Sequence, residues 1–113
     1  MSTLYDYKIE VFIPEKFVFP LRDELAKVNV GVIGNYDHCI AFSLVRGTWR
    51  PLEGSNPYDG KIGEISEGIE AKMEVNCKKE NIRDALQVIR RVHPYDEPLI
   101  NIIPLANSIF EDR

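Results

Sequence analysis

The chain switches between two hydrophobic periods, and the switches mark its elements. In "YKIEVFI", residues 7–13, Tyr7, Ile9, Val11 and Ile13 fall on one side with Lys8 and Glu10 opposite, the period-two pattern of a half-buried strand. Pro14 ends that strand and suits the start of a helix. Next, Val18, Leu21, Leu25 and Val28 form the stripe of an amphipathic helix. The pattern predicts a helix from about Glu15, with Pro20 an awkward member inside it and Gly31 and Gly34 beyond its end. Residues 36–49, "YDHCIAFSLVRGTW", read as a long second strand. In it Ile40, Phe42 and Leu44 share one face, and Cys39, Ala41 and Val45 the other.

The connection "RPLEGSNPYDGKIGEISEG" holds too much Gly and Pro for either period. A third strand is predicted over 68–77, with Ile69, Ala71, Met73, Val75 and Cys77 alternating with Glu70, Lys72, Glu74 and Asn76. Residues 80–92 read as a second helix with the stripe Ile82, Leu86, Ile89 and Val92. It must stop near His93, because the residue before a proline is pushed out of the helical region. "PLINIIPL", residues 98–105, supplies a fourth strand.

The order β-α-β-β-α-β predicts an α+β fold, the ferredoxin-like βαββαβ sandwich. Right-handed crossovers place the strands in the antiparallel order 4-1-3-2, with both helices on one face. Strands 2 and 4 are then the edges, and both carry apolar residues on both faces. A lone domain blunts its edges with charge. These edges are instead expected to be covered by further copies of the chain.

Length and charge narrow the classes. The 113 residues suit a single domain, 1–113, with its core over about 7–105. The formal charge of −4 argues against a nucleic-acid partner, which calls for clustered Lys and Arg. No apolar run approaches the roughly 20 residues of a membrane span. The first residues show no secretory leader. Two cysteines, Cys39 and Cys77, make no disulfide framework, so a cytoplasmic location with reduced thiols is expected.

Two clusters carry candidate chemistry: "NYDHC" at 35–39 and "HPYDEP" at 93–98. The predicted topology puts them at opposite ends of the sheet, roughly 25 Å apart at about 3.3 Å per strand residue. His38 and His93 are therefore expected to share an ion only across an interface between copies. On a regular strand Asp37 and Cys39 would face one way, and Tyr36 and His38 the other. Cys77 is expected near Cys39, but a zinc site wants three or four ligands, and small buried hydrophobes is the favoured reading of both thiols. At the other end Trp49, Arg50, Asn56, Tyr58 and Asp59 are expected to line a cleft with His93, Tyr95, Asp96 and Glu97. An imidazole beside carboxylates suits proton transfer or metal binding. The plainer reading makes His93-Pro94 a helix stop, with Asp96 and Glu97 solvated or paired to Arg50.

The strings "GVIGNYDHCIAFSLVRGTWRPLEGSNPYDGKIGE" and "HPYDEPLINIIPL" resemble the inserted middle domain of the NIF-three-like family (NGG-one-interacting factor three), also known as type-two GTP cyclohydrolase-like. The resemblance runs from about Tyr7 to Leu105. A weaker similarity is to CutA, a divalent-cation tolerance protein of the PII-like superfamily. Both imply a ferredoxin-like, PII/CutA-like domain that assembles, commonly as a trimer. In the full-length family the flanking domains carry the dimetal ligands, so none of those transfers to this chain, which resembles a free-standing insertion. The signature positions it keeps are Asn35, Tyr36, Asp37 and His38, then His93, Tyr95 and Glu97.

The expected function is a small cytoplasmic homo-oligomer, a trimer by resemblance, that binds a small ligand or divalent metal between copies and leans away from catalysis. Its candidate ligand-binding residues are Asn35, Tyr36, Asp37, His38, Trp49, Arg50, Asn56, His93, Tyr95 and Glu97, with His38 and His93 the candidate metal ligands. The rival expectations are a metal-assisted hydrolase of nucleotides or phosphoesters, and a module that docks on separate NIF-three-like domains.

Overall fold

A computed structural model describes residues 6–110. Four strands, β1 (Tyr7–Ile13), β2 (Ala41–Trp49), β3 (Ser66–Cys77) and β4 (Ile100–Pro104), form one sheet in the order β2-β3-β1-β4. Every neighbouring pair is antiparallel. Helices α1 (Val18–Ala26) and α2 (Ile82–Val92) cover one face, and a short α3 (Asn107–Phe110) follows β4. The fold is the expected ferredoxin-like α+β sandwich, with α3 as an element that four residues were too few to announce.

The core follows from the alternation. Ile9, Val11 and Ile13 of β1 pair with Val75, Met73 and Ala71 of β3, and all six are buried. Against them pack Val18, Leu21 and Leu25 of α1 and Ala85, Val88 and Ile89 of α2. Leu86, expected in the α2 stripe, is only half-buried; Ala85 and Val88 stand in the core beside Ile89 instead. Small and β-branched side chains there let α2 lie close to the sheet.

The start of α1 resolves the problem of Pro20. Residues Glu15–Phe17 form a 3-10 turn and the α-helix begins at Val18. Pro20 is then the third helical residue, where a backbone N–H has no intrahelical partner to lose. The helix runs through without a kink being required.

The start of β2 differs more. Regular pairing begins at Ala41, opposite Glu74, not at residue 36. Ile33 and Tyr36 instead bond each other's backbones across a tight turn, and His38 takes a left-handed φ of 57°. The expected alternation of Asp37 and Cys39 against Tyr36 and His38 therefore does not exist. The turn is fixed by close packing: Gly31, at φ 86°, accepts a 2.8 Å bond from the Cys39 N–H. A Cβ on Gly31 would sit 3.0 Å from the Cys39 carbonyl oxygen.

The face away from the helices has its own logic. Lys8 pairs with Glu74 at 2.9 Å and Lys72 with Glu10 at 3.4 Å, while Asn101 of β4 donates to Glu10. Their hydrogen bond raises the Lys8 pKa and lowers that of Glu74. Opposite charges across antiparallel strands thus tile the centre of this face. Beyond the helices, the β2–β3 ribbon leaves Leu44 and Ile69 exposed, and Phe42 keeps only partial cover by stacking edge-on against Phe19.

Candidate functional site

The charged tiling stops at Glu70, the next position of β3 on the same face. β1 ends at Ile13, opposite Ala71, so no β1 lysine stands across from Glu70. Among the described residues it has no cation partner; the Tyr95 hydroxyl donates to its Oε2 at 2.9 Å. Here a cleft of about 430 Å³ opens, walled by Phe12, Trp49, Tyr58, Glu70 and Tyr95, with Arg50 at its single basic position. Asp59, Asp96 and Glu97 also line it. That volume falls within the range of small-molecule sites.

Each wall is held from behind. The Trp49 indole N–H donates to the Asp59 carbonyl at 3.0 Å, and the ring covers Gly60 and Gly68. A Cβ on Gly60 would lie 2.9 Å from Trp49 Nε1 and 2.8 Å from Ser66 Oγ, and one on Gly68 would lie 3.1 Å from the ring. Gly60 also sits at φ 100°, so glycine is required there twice over. Tyr58 leans on Tyr95, ring centroids 5.8 Å apart, and edge-on against Phe17. Asp96 accepts from the backbone N–H of Asn56 at 2.9 Å and from that of Glu97 at 3.1 Å. It thereby ties the loop after β2 to the segment before β4, and it is not paired to Arg50.

His93 stands behind the cleft. It is 6% exposed. The Tyr95 backbone N–H donates to its Nδ1 at 3.2 Å, so Nε2 carries the proton and donates to the Phe12 carbonyl at 2.7 Å. Burial holds its pKa below the ordinary histidine value, the bond to Phe12 and the nearby Glu70 opposing that shift. The ring is a neutral connector with both nitrogens in use. Its backbone is extended, as its place before Pro94 requires, and ends α2. Burial and the bond to Glu70 push the Tyr95 hydroxyl strongly up, so it remains a donor.

The candidate residues therefore divide. Trp49, Arg50, Tyr58, Asp59, Tyr95, Asp96 and Glu97 line the cleft; His93 and Asn56 brace its walls without lining it. Asn35, Tyr36, Asp37 and His38 lie at the other end of the sheet, beside the turn on Gly31. There His38 Nδ1 is 2.8 Å from Asp37, and Nε2 is 3.7 Å from Asp23 of α1. Cys39 and Cys77 are both free thiols. Burial pushes the Cys77 thiol up to about 11, consistent with a small inert hydrophobe. Among the described residues no three His, Cys, Asp or Glu converge as a metal site would need. Phe12, Glu70 and the two glycines under Trp49 were missed by sequence reasoning. The one available signal was a glutamate on the polar side of a strand without a lysine opposite it.

The fold places the chain in a structural class: a ferredoxin-like α+β sandwich, shared with solved CutA structures. The chain superposes on the PII-like protein CutA from Nostoc sp. PCC 7120 with a TM-score of 0.68 at 16% identity, over 93% of this chain and 86% of that one. It superposes on the divalent ion tolerance protein CutA1 from Ehrlichia chaffeensis with a TM-score of 0.69 at 17% identity, over 94% and 86%. No family model matches the chain. It is, more particularly, 36% identical over 102 residues to a GTP cyclohydrolase 1 type 2 homolog of Halalkalibacterium halodurans, covering 90% of this chain and 27% of that protein. The structure of a Bacillus cereus protein related to NIF3 gives a TM-score of 0.78 at 28% identity, over 95% of this chain and 28% of that one. Over most of its length the chain is therefore similar to one region of these NIF3-related proteins. It spans about a quarter of the length of these relatives.

Proposed function

We propose that the chain is a self-associating PII/CutA-like module that binds a small ligand in the cleft beside Trp49 and Tyr95, and that it performs no chemistry of its own. The observation that carries this reading is the construction of the cleft. Hydrogen bonds fix the Trp49 and Tyr95 walls, Tyr58 is wedged between Phe17 and Tyr95, and Asp96 ties the loop after β2 to the segment before β4, so little ordering remains to oppose binding. The activity named for the relatives is a property proposed of whole chains about four times the length matched here, and the Tyr95 and Cys77 groups are both pushed toward their unreactive protonated forms.

Self-association, with a trimer as the favoured form, is supported by the exposed apolar ribbon. Leu44 is 53% and Ile69 68% exposed, and β2 and β4 each leave one edge unpaired in the sheet. A neighbouring copy would bring Asn35, Tyr36, Asp37 and His38 toward the cleft of the first. A divalent metal shared by His38 of one copy and His93 of another is the less favoured version, since His93 would have to release Phe12 or Tyr95. The free thiols and net negative charge support a cytoplasmic protein with no nucleic-acid partner. Among the described residues no helix is long and apolar enough to cross a membrane.

Two measurements test the reading. Sedimentation at micromolar concentration should give an oligomer; a single-chain particle removes the shared site. Calorimetric titration with zinc on the wild type, His38→Ala and His93→Ala separates the versions. Heat lost in both variants supports the shared metal, and no heat in any of the three leaves the organic ligand.

A further inference from the structure

Resting on the cleft as the ligand site, we infer that its ligand is an organic cation: a protonated amine carried on a flat or compact apolar body. Four carboxylates line the cleft, Glu70, Asp59, Asp96 and Glu97, against the single guanidinium of Arg50. Asp96 accepts from two backbone N–H groups and Glu70 from the Tyr95 hydroxyl, and among the described residues none of the four is paired with a cation. Glu70 is the informative one. Its row-mates Glu74 and Glu10 are each matched by a lysine, while Glu70 faces the cleft with a neutral tyrosine hydroxyl as its partner. Glu70 is half-buried with no cation beside it among the described residues, so a positively charged ligand would complete the pairing that its row-mates have.

An inorganic ion does not suit the arrangement. The carboxylates do not converge on a point, and a divalent ion of the hard type needs six or more oxygens around it. What stands between them is aromatic. Trp49, Tyr58 and Tyr95 share the walls with Phe12, Pro51, Pro57 and Leu99. Aromatic faces attract a cation within about 6 Å of the ring centre, and proline and leucine take up its apolar body. The charge balance and the aromatic lining are independent observations pointing to one chemical class.

The sole tryptophan of the chain is Trp49, so its emission reports the cleft directly. The intact protein is titrated with benzylamine, benzyl alcohol and benzoate, three probes of one shape and three charges, and with magnesium chloride. Benzylamine is expected to bind about tenfold more tightly than benzyl alcohol, with benzoate weakest. Glu70→Gln, which keeps an acceptor for Tyr95, should abolish that advantage, and Glu97→Gln should reduce it. Benzoate or benzyl alcohol binding as well as benzylamine overturns the cation while leaving the cleft a ligand site. Equal competition by magnesium overturns it in favour of an inorganic ion. An advantage that survives both glutamine variants also overturns it, and saturation by none of the probes takes the ligand site down as well.

Discussion

Each end of the sheet carries a histidine inside a polar motif, and the two have opposite fates. At one end His93 is buried, neutral and bonded through both nitrogens to Phe12 and Tyr95. At the other His38 stands on an exposed turn in left-handed backbone, between Asp37 and Asp23. The motifs look alike as strings because both mix imidazole, phenol and carboxylate. They differ in what the backbone asks of them. The end of α2 and the last residues of β1 leave a carbonyl and an N–H to satisfy inside the fold, and an imidazole can do both at once. The turn before β2 leaves its polar groups in water. A histidine's neighbours in sequence therefore say little about its protonation; the unsatisfied groups around it say more.

The difference can be tested by breaking each end in turn. The largest effect is expected for His93→Ala, which orphans the Phe12 carbonyl and the Tyr95 N–H. Urea unfolding should show a loss of about 2–3 kcal/mol, with a red shift of Trp49 emission as the cleft loosens. Gly31→Ala strikes the opposite end. A side chain at φ 86° within 3.0 Å of the Cys39 carbonyl oxygen should cost about 2 kcal/mol and leave Trp49 emission unchanged. If Gly31→Ala shifts that emission as His93→Ala does, the two ends are not independent.

A pH titration of stability sharpens the same contrast. The folded protein holds the His93 pKa below its ordinary value of 6.5, so the unfolded chain binds the proton more readily. The contribution of neutral His93 is fully present above pH 6.5 and is lost as pH falls from there toward the lowered folded value. Glu24 and Glu74, whose pKa values are lowered from 4.5, lose theirs only at still lower pH. The decline beginning near pH 6.5 should disappear in His93→Ala and persist in His38→Ala. The smallest effect is expected for His38→Ala itself: its ring is 44% exposed, and unfolding should place the change within about 0.5 kcal/mol. A loss above about 1.5 kcal/mol would mean that the contacts with Asp37 and Asp23 hold the turn in place.

Much of the fold was legible in the sequence. The alternation of Ile9, Val11 and Ile13, the stripe of Leu21 and Leu25, and the stop at His93-Pro94 are local properties, and a chain of four strands and two helices in that order has few unknotted solutions. The cleft was legible in half. Trp49, Arg50, Tyr58, Asp59, Tyr95, Asp96 and Glu97 were all assigned to one end by topology alone. Glu70 was not, because a glutamate on a strand's polar side looks like any other until the neighbouring strand is seen to end first. The turn at 35–39 misled for a related reason. The apolar run that begins at Ile40 extends the strand reading back through it, while the cause of the turn, Gly31 packed against Cys39, lies outside the window that periodicity reads.

By itself, then, the sequence determined the order of the elements, their buried faces and the separation of the two polar motifs, since each depends on residues a few positions apart. Tertiary structure alone decided which nitrogen of His93 holds the proton, where β2 begins, and that Trp49 lies over two glycines to shape a cleft. Those outcomes rest on contacts between groups far apart in the chain, 81 residues for His93 and Phe12 and 40 for Asn56 and Asp96. Hydrogen bonds act over about 3 Å, so such partners exist for one another only once the sheet has brought them together.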